Sequence, residues 1–329
     1  MHISSLDRTT PDVLNAPAGA TAALAGRLAL THLGIIRVAG ADAASFLQGQ
    51  LTQDVLQMKD QQARLAAFCN AKGRMQASFV VFRRSADEIL MLCSQDLLPA
   101  TLRRLTMFVL RAKAKLSDAT AEFALFGLVG EAAQAAASSA GLEALSPWAK
   151  ADVGPANLVT LYPADGVPRA LWCASVDAPA PAGAALTADA WNWLEVRSGI
   201  AMITQPTFEA FVPQMLNYES VGGVSFKKGC YPGQEIVARS QFRGTLKRRA
   251  YVVHAEGELV VGQAVFHATD AEQPCGLVAA AAPSPAGGFD AIVSMQVAAA
   301  QAPSGLAAGS AAGLALQLQP LPYPLLEDI

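Results

Sequence analysis

Residues 227–249 read Lys227-Lys228-Gly229-Cys230-Tyr231-Pro232-Gly233-Gln234-Glu235-Ile236-Val237-Ala238-Arg239-Ser240-Gln241-Phe242-Arg243-Gly244-Thr245-Leu246-Lys247-Arg248-Arg249. Seven basic residues stand here against one acid, a local charge of +6 in a chain whose net charge is −3. The remainder therefore carries −9, and a basic island on an acidic body points to an anionic ligand. Pro232 suits the first position of a helix running through Gln234 to Val237. Cys230 would then precede a helix N-terminus beside Lys227 and Lys228, both of which favour a thiolate. Gly229 and Gly233 would let backbone approach a ligand closely.

Outward from this stretch the pattern is of strands and helices in blocks. Residues 1–21 are polar and rich in Pro, Ala and Gly, and read as a flexible leader. Leu28–Val38 predicts a strand ended by Gly40, and Asp42 an N-cap for a helix carrying Phe46, Leu47 and Leu51. Residues 63–95 predict antiparallel strands around a turn at Asn70–Arg74. Asp96 predicts a second cap, before a helix with Leu98, Leu102, Leu105 and Val109 on one face and Arg103, Arg104 and Arg111 off it. A strand over Phe123–Val129 precedes an Ala-rich helix over 131–140. Thr187 predicts the cap of a helix bearing Trp191, Leu194 and Val196. From Tyr251 onward short strands alternate with Pro/Gly turns, as in a small barrel. Segregated strands and helices argue for an α+β fold.

At 52% hydrophobic the chain has ample core material, and with 329 residues it is long enough for two or three domains. No segment has the roughly 20 apolar residues of a membrane span, and the N-terminus does not read as a signal peptide, which together predict a cytoplasmic protein. The five cysteines are widely spaced and do not cluster with the four histidines, so neither a disulfide framework nor a metal site is expected. Cys69, Cys93, Cys173 and Cys275 read as buried structural thiols, and Cys230 as the functional one.

Lys-Gly-Cys-Tyr-Pro-Gly-Gln-Glu at 228–235 resembles the signature of the YgfZ family of folate-binding proteins. Phe46–Val55, Phe68–Arg74, Thr207–Asn217 and Arg243–Arg249 resemble further blocks of that family, over roughly residues 28–329. The resemblance implies the three-domain ring of the glycine-cleavage aminomethyltransferase: a split first domain over 22–50 and 119–240, an inserted second domain over 51–118, and a C-terminal β-barrel over 241–329. It implies tetrahydrofolate, or a one-carbon derivative, in a central channel. Iron–sulfur enzymes or their assembly machinery, including enzymes that thiolate tRNA, are the implied partners. The folate-binding residues so implied are Glu195, Arg197, Asn217, Lys228, Tyr231, Gln234, Glu235 and Arg239, with Cys230 as the working thiol. One departure stands out: where the family often has Arg-Ile-Glu-Ala-Gly, this chain has Glu195-Val196-Arg197-Ser198-Gly199, which places Arg197 in register with a pterin-binding Glu.

Two other classes compete. A true aminomethyltransferase needs a carboxylate beside the reacting folate nitrogen, yet no Asp or Glu lies between Asp60 and Asp87. An RNA-binding protein could use Phe226, Tyr231 and Phe242 as stacking platforms among the basic residues, but no RNA-binding module is recognisable. The expectation is a folate-dependent accessory protein without aminomethyltransferase activity, and without direct nucleic-acid binding.

Overall fold

Strand pairing sorts the chain into three antiparallel sheets in the computed structural model, which describes residues 24–142, 145–242 and 246–326. The leader expected over 1–21 lies outside the described residues. The first sheet has the order Gly26–Ala29, Phe123–Val129, Arg169–Ser175, Ala156–Thr160, Lys150–Val153. The second runs Ala63–Cys69, Met75–Ser85, Glu88–Ser94, Leu33–Ala39, Lys115–Asp118. The third has seven strands: Leu314–Ala315, Leu306–Ala308, Ala264–His267, Gly276–Pro283, Phe289–Gln296, Arg248–Ala255 and Gln317–Gln319. Its two edge strands are separated in sequence by Leu316 alone, so the ends of the sheet meet and the barrel is nearly closed. Helices α1 (Ala43–Gln48), α2 (Leu98–Thr106), α3 (Glu131–Ser139), α4 (Ala188–Arg197), α5 (Gln234–Phe242) and α6 (Val297–Gln301) cover or join these sheets. Among the described residues no helix is long and apolar enough to cross a membrane.

Of the N-terminal segment, Gly26–Ala29 joins the first sheet and Leu33–Ala39 the second. The sequence explains the second placement. Leu33, Ile35, Ile36 and Val38 are all buried, so the strand is apolar on both faces and takes an interior position. Ile35 points into the large central core with Leu65, Val80 and Leu92. Ile36 and Val38 point the other way, into a separate core with Phe46 and Leu47 of α1 and Leu98 and Leu105 of α2. The second sheet is thus covered on its outer face by two helices and on its inner face by the rest of the molecule.

Two expected caps are reassigned. The Asp42 side chain makes no cap; its carboxylate accepts the backbone N–H of Lys113 at 2.7 Å. Asp96 accepts from Ser94 Oγ at 2.6 Å and from the Gln205 backbone N–H at 2.9 Å, and α2 begins beyond it. Both carboxylates tie distant segments together, an alternative that sequence-local reasoning does not see. Thr187 caps α4 as expected, its hydroxyl accepting from the Ala190 backbone N–H at 3.2 Å.

Candidate functional site: a cavity between three sheets and a signature loop outside it

Helix α4 lies between the first and third sheets, and the three sheets enclose a cavity of about 360 Å³ beside it. Leu161 and Leu171 come from the first sheet side, Leu65, Val80 and Leu92 from the second, and Ala279–Ala281 from the third. Trp191 of α4 forms part of the wall because residue 127 is glycine. A Cβ at Gly127 would lie 2.3 Å from Trp191 Cζ3, so only glycine lets the indole lie flat on the first sheet.

The polar element of the cavity is an ion pair between Arg169 of the first sheet and Glu195 of α4. Arg169 is buried, with its guanidinium carbon 4.7 Å from the centroid of the Trp191 ring. Burial pushes the guanidinium down to about 9, so it remains cationic at neutral pH. The Glu195 side chain is 35% exposed and lines the cavity. Arg169 Nε and Trp191 Nε1 are buried without a protein partner. Among the cavity-lining residues Glu195 is the sole carboxylate.

Arg197, two residues on, does not line the cavity. Its guanidinium binds Asp165 through two bonds of 2.8 and 2.9 Å and lies 3.8 Å from Asp290 of the barrel. On a helix, residues two apart face different directions. The Glu195/Arg197 departure therefore leaves the acid towards the cavity and turns the base towards the barrel. Asn217, wholly buried with a left-handed backbone (φ 57°), also holds the barrel: Nδ2 donates to Ala250 O at 2.8 Å and Oδ1 accepts the Ala250 N–H at 3.2 Å.

The signature loop sits elsewhere. None of Lys228, Cys230, Tyr231, Gln234, Glu235 and Arg239 is among the residues lining the cavity. Lys228 is buried, its ammonium donating to Gln48 O at 2.5 Å and Leu51 O at 2.8 Å, so it satisfies carbonyls left open at the C-terminal end of α1. The same ammonium lies 4.5 Å from the Tyr231 ring centroid. Helix α5 begins at Gln234, two residues after Pro232, because Gly233 takes a left-handed turn (φ 79°). Gly233 meets the Asn70–Gly73 turn backbone to backbone, leaving no room there for a ligand. Glu235 and Arg239 are exposed on α5. The basic island is partly consumed in structure: besides Lys228, Arg249 pairs with buried Glu219 at 2.6 Å and Arg248 donates to Cys275 O at 2.9 Å. Arg243 lies outside the described residues.

Residues 8–147 match the family described as the GCVT N-terminal domain. The chain is 36% identical over 235 residues to the tRNA-modifying protein YgfZ of Edwardsiella ictaluri, spanning 68% of this chain and 69% of that one. It is 32% identical over 237 residues to the tRNA-modifying protein YgfZ of Klebsiella pneumoniae, spanning 69% and 70%. The chain belongs to the YgfZ family. Its fold is similar to that of the glycine cleavage system aminomethyltransferase T from Bartonella henselae, with a TM-score of 0.66, 94% of this chain and 88% of that one covered, and 17% identity. That likeness is one of fold.

In this YgfZ-family chain the acid-free strand after the Gly73 turn does meet a carboxylate in space. Gln76 Nε2 donates to Glu209 Oε1 at 2.7 Å, and Glu209 has a left-handed backbone (φ 57°). Gln76 lies two residues along the same strand face from Ser78, which lines the cavity, but neither Gln76 nor Glu209 does so. Sequence spacing could not reveal this contact, which joins positions 133 residues apart.

Two predictions arise from the loop. Cys230 is exposed and the other four cysteines are buried, with burial pushing Cys69, Cys93 and Cys173 up to about 12 and Cys275 upward. Limited alkylation followed by peptide mapping should modify Cys230 first, by at least about tenfold in rate, because the thiolate is the nucleophile. Cys230→Ser should change stability by under about 0.5 kcal/mol, as expected for a surface substitution. Earlier modification of Cys69 or Cys275 would contradict this order.

The second concerns pH. Burial pushes the Lys228 amine down from 10.5 to about 8, partly offset by the charges of Asp54 and Cys230. Between those two values the unfolded chain binds the extra proton and the folded chain does not, so stability should rise with pH through that window. The stability difference between the natural chain and Lys228→Met should grow in favour of the natural chain between pH 7 and pH 10, measured by urea unfolding. A flat difference would mean that the amine stays fully charged in its carbonyl cradle.

Proposed function

We propose that this YgfZ-family chain binds a reduced folate, tetrahydrofolate or a one-carbon derivative, in the cavity between the three sheets. Through it the protein serves tRNA modification as an accessory factor, supporting assembly or repair of iron–sulfur clusters in cytoplasmic enzymes such as those that thiolate tRNA bases. The observation that carries the reading is the Arg169–Glu195 pair set in an apolar slot beside Trp191. A pterin is a flat ring whose amino-pyrimidinone edge offers adjacent N–H donors. Glu195 would accept from that edge, Arg169 would hold the carboxylate in place, and Trp191 would support the ring. The volume lies in the range of small-molecule sites. Bound folate would supply one-carbon or redox chemistry; the residues here bind it, orient it and keep water from its ring.

The same geometry argues against aminomethyl transfer. Glu195 is neutralised by Arg169, and Glu209 lies outside the lining residues, so no unpaired carboxylate stands among the lining residues. Cys230 is exposed and is not among the lining residues, which supports a role for it towards a protein partner and not towards the folate ring. The test is a titration of the purified chain with tetrahydrofolate while following tryptophan emission. Saturable quenching, together with folate among the small molecules released on denaturation, is the expected result. Unchanged emission and no released folate would overturn the reading.

A further inference from the structure

The segment that links α2 to the edge strand Lys115–Asp118 carries a surface that the folate reading does not use. Arg103, Arg104, Arg111, Lys113 and Lys115 are all exposed, and no acid occurs between Asp96 and Asp118. Among the described residues none of these five cations forms an ion pair. The nearby Asp42 carboxylate is engaged by the Lys113 backbone N–H and not by a side chain. In the same segment Met107 is 62% exposed, Phe108 38% and Leu110 86%. A lysine beside an edge strand guards against unwanted pairing, which accounts for Lys115. It does not account for three large apolar side chains held in water.

We infer that residues 103–115 form a docking face for a second protein that offers an acidic segment carrying large apolar side chains. Exposed Met, Phe and Leu interspersed with arginine have the composition of a protein–protein contact. The unpaired positive charge calls for an acidic counterpart. A nucleic acid fits less well: Met107 and Leu110 offer no stacking surface, and Arg104 lies over the Phe108 ring at 5.3 Å from its centroid. The surface runs from the last turn of α2 into the segment after it, and α2 covers the outer face of the second sheet, whereas the cavity opens on the inner face. A partner docked here would leave the cavity free.

The test uses the full chain and a fluorescein-labelled acidic amphipathic peptide built of Glu and Leu, read by fluorescence anisotropy. Polyglutamate of equal length, bulk tRNA and phosphatidylserine vesicles serve as comparison probes. The peptide should bind, and about tenfold more weakly to the Met107→Ser/Leu110→Ser and Arg103→Glu/Arg104→Glu variants, the loss typical of a contact residue. Polyglutamate should bind more weakly than the peptide. Circular dichroism melting of both variants should match the natural chain, since the residues are exposed. Equal peptide binding by natural chain and variants overturns the proposal. So does binding of tRNA or of vesicles that exceeds that of the peptide and is lost in the same variants, since the face would then serve RNA or a membrane.

Discussion

Glu195→Ala is expected to abolish measurable tetrahydrofolate binding and to lower stability by about 2–4 kcal/mol. The stability loss follows from Arg169, which is buried and ion-paired with Glu195. Removing one member of a buried pair typically costs about 3–5 kcal/mol because the other charge is stranded. The lower figure here reflects the partial exposure of Glu195, which admits water to the vacated side. Two companion variants separate stability from recognition. Glu195→Gln keeps a hydrogen-bond acceptor for Arg169 but presents an N–H₂ group to the ligand, so it should lose less stability and still bind folate at least about tenfold more weakly. Glu195→Leu combined with Arg169→Met removes both charges and should regain most of the stability without regaining binding. Urea unfolding and ligand titration check all three. Undiminished binding by Glu195→Gln would remove the pair from the recognition scheme.

Gly233→Ala should destabilise the fold by about 3–5 kcal/mol, at the upper end for a single methyl group. A Cβ at Gly233 would lie 2.4 Å from Asn70 O and 2.7 Å from the N and Cα of Gly73, so the collision is with backbone that no rotamer change relieves. The left-handed φ of 79° adds about 1 kcal/mol for any residue with a side chain. Gly229→Ala is the control. A Cβ there meets nothing within 4 Å and the residue is exposed, so its effect should stay within about 0.5 kcal/mol. Equal effects at the two glycines would contradict the packing described here.

These two glycines also show where sequence reading succeeds and where it stops. Both stand in the motif, and both were read as room for a ligand. In space one meets open water and the other the turn at Asn70–Gly73. The motif identified the family, yet its Lys228, Tyr231 and Gly233 serve to anchor the loop that carries Cys230. The exposure of Cys230 and the burial of Cys69, Cys93 and Cys173 were legible, because those three lie in apolar or strand-like runs while Cys230 lies among Gly, Pro and Lys. Cys275, in Gln273-Pro274-Cys275-Gly276, carries no such local signal, and tertiary packing buries it. The cavity was not legible. Its walls come from residues as distant as Leu65 and Ala281, and its buried arginine, Arg169, sits in a short run with no local signal of function. Leu33–Ala39 and Phe123–Val129 follow apolar runs and were expected as strands, whereas Ala156–Thr160 and Arg169–Ser175, interior to the first sheet, were not. Within the tail, Gly276–Pro283 has no strand signal of its own: its Leu-Val-Ala-Ala-Ala-Ala content has little intrinsic strand preference and is extended by its neighbours.

The walls of the cavity arise at intervals from His32 to Ala281, and the barrel that completes it is pinned to the segment after α4 still later, where the Tyr323 hydroxyl donates to Gly199 O at 2.7 Å. During synthesis, then, the ribosome must release nearly the whole chain before any ligand can be received. A polypeptide interrupted within the barrel would contain every residue of the cysteine motif and the complete Arg169–Glu195 pair, yet have an open side where Ala279–Ala281 should stand. On the proposed folate reading, loading would thus distinguish finished molecules from unfinished ones, and a cell short of folate would accumulate chains that are complete but less protected against unfolding and proteolysis.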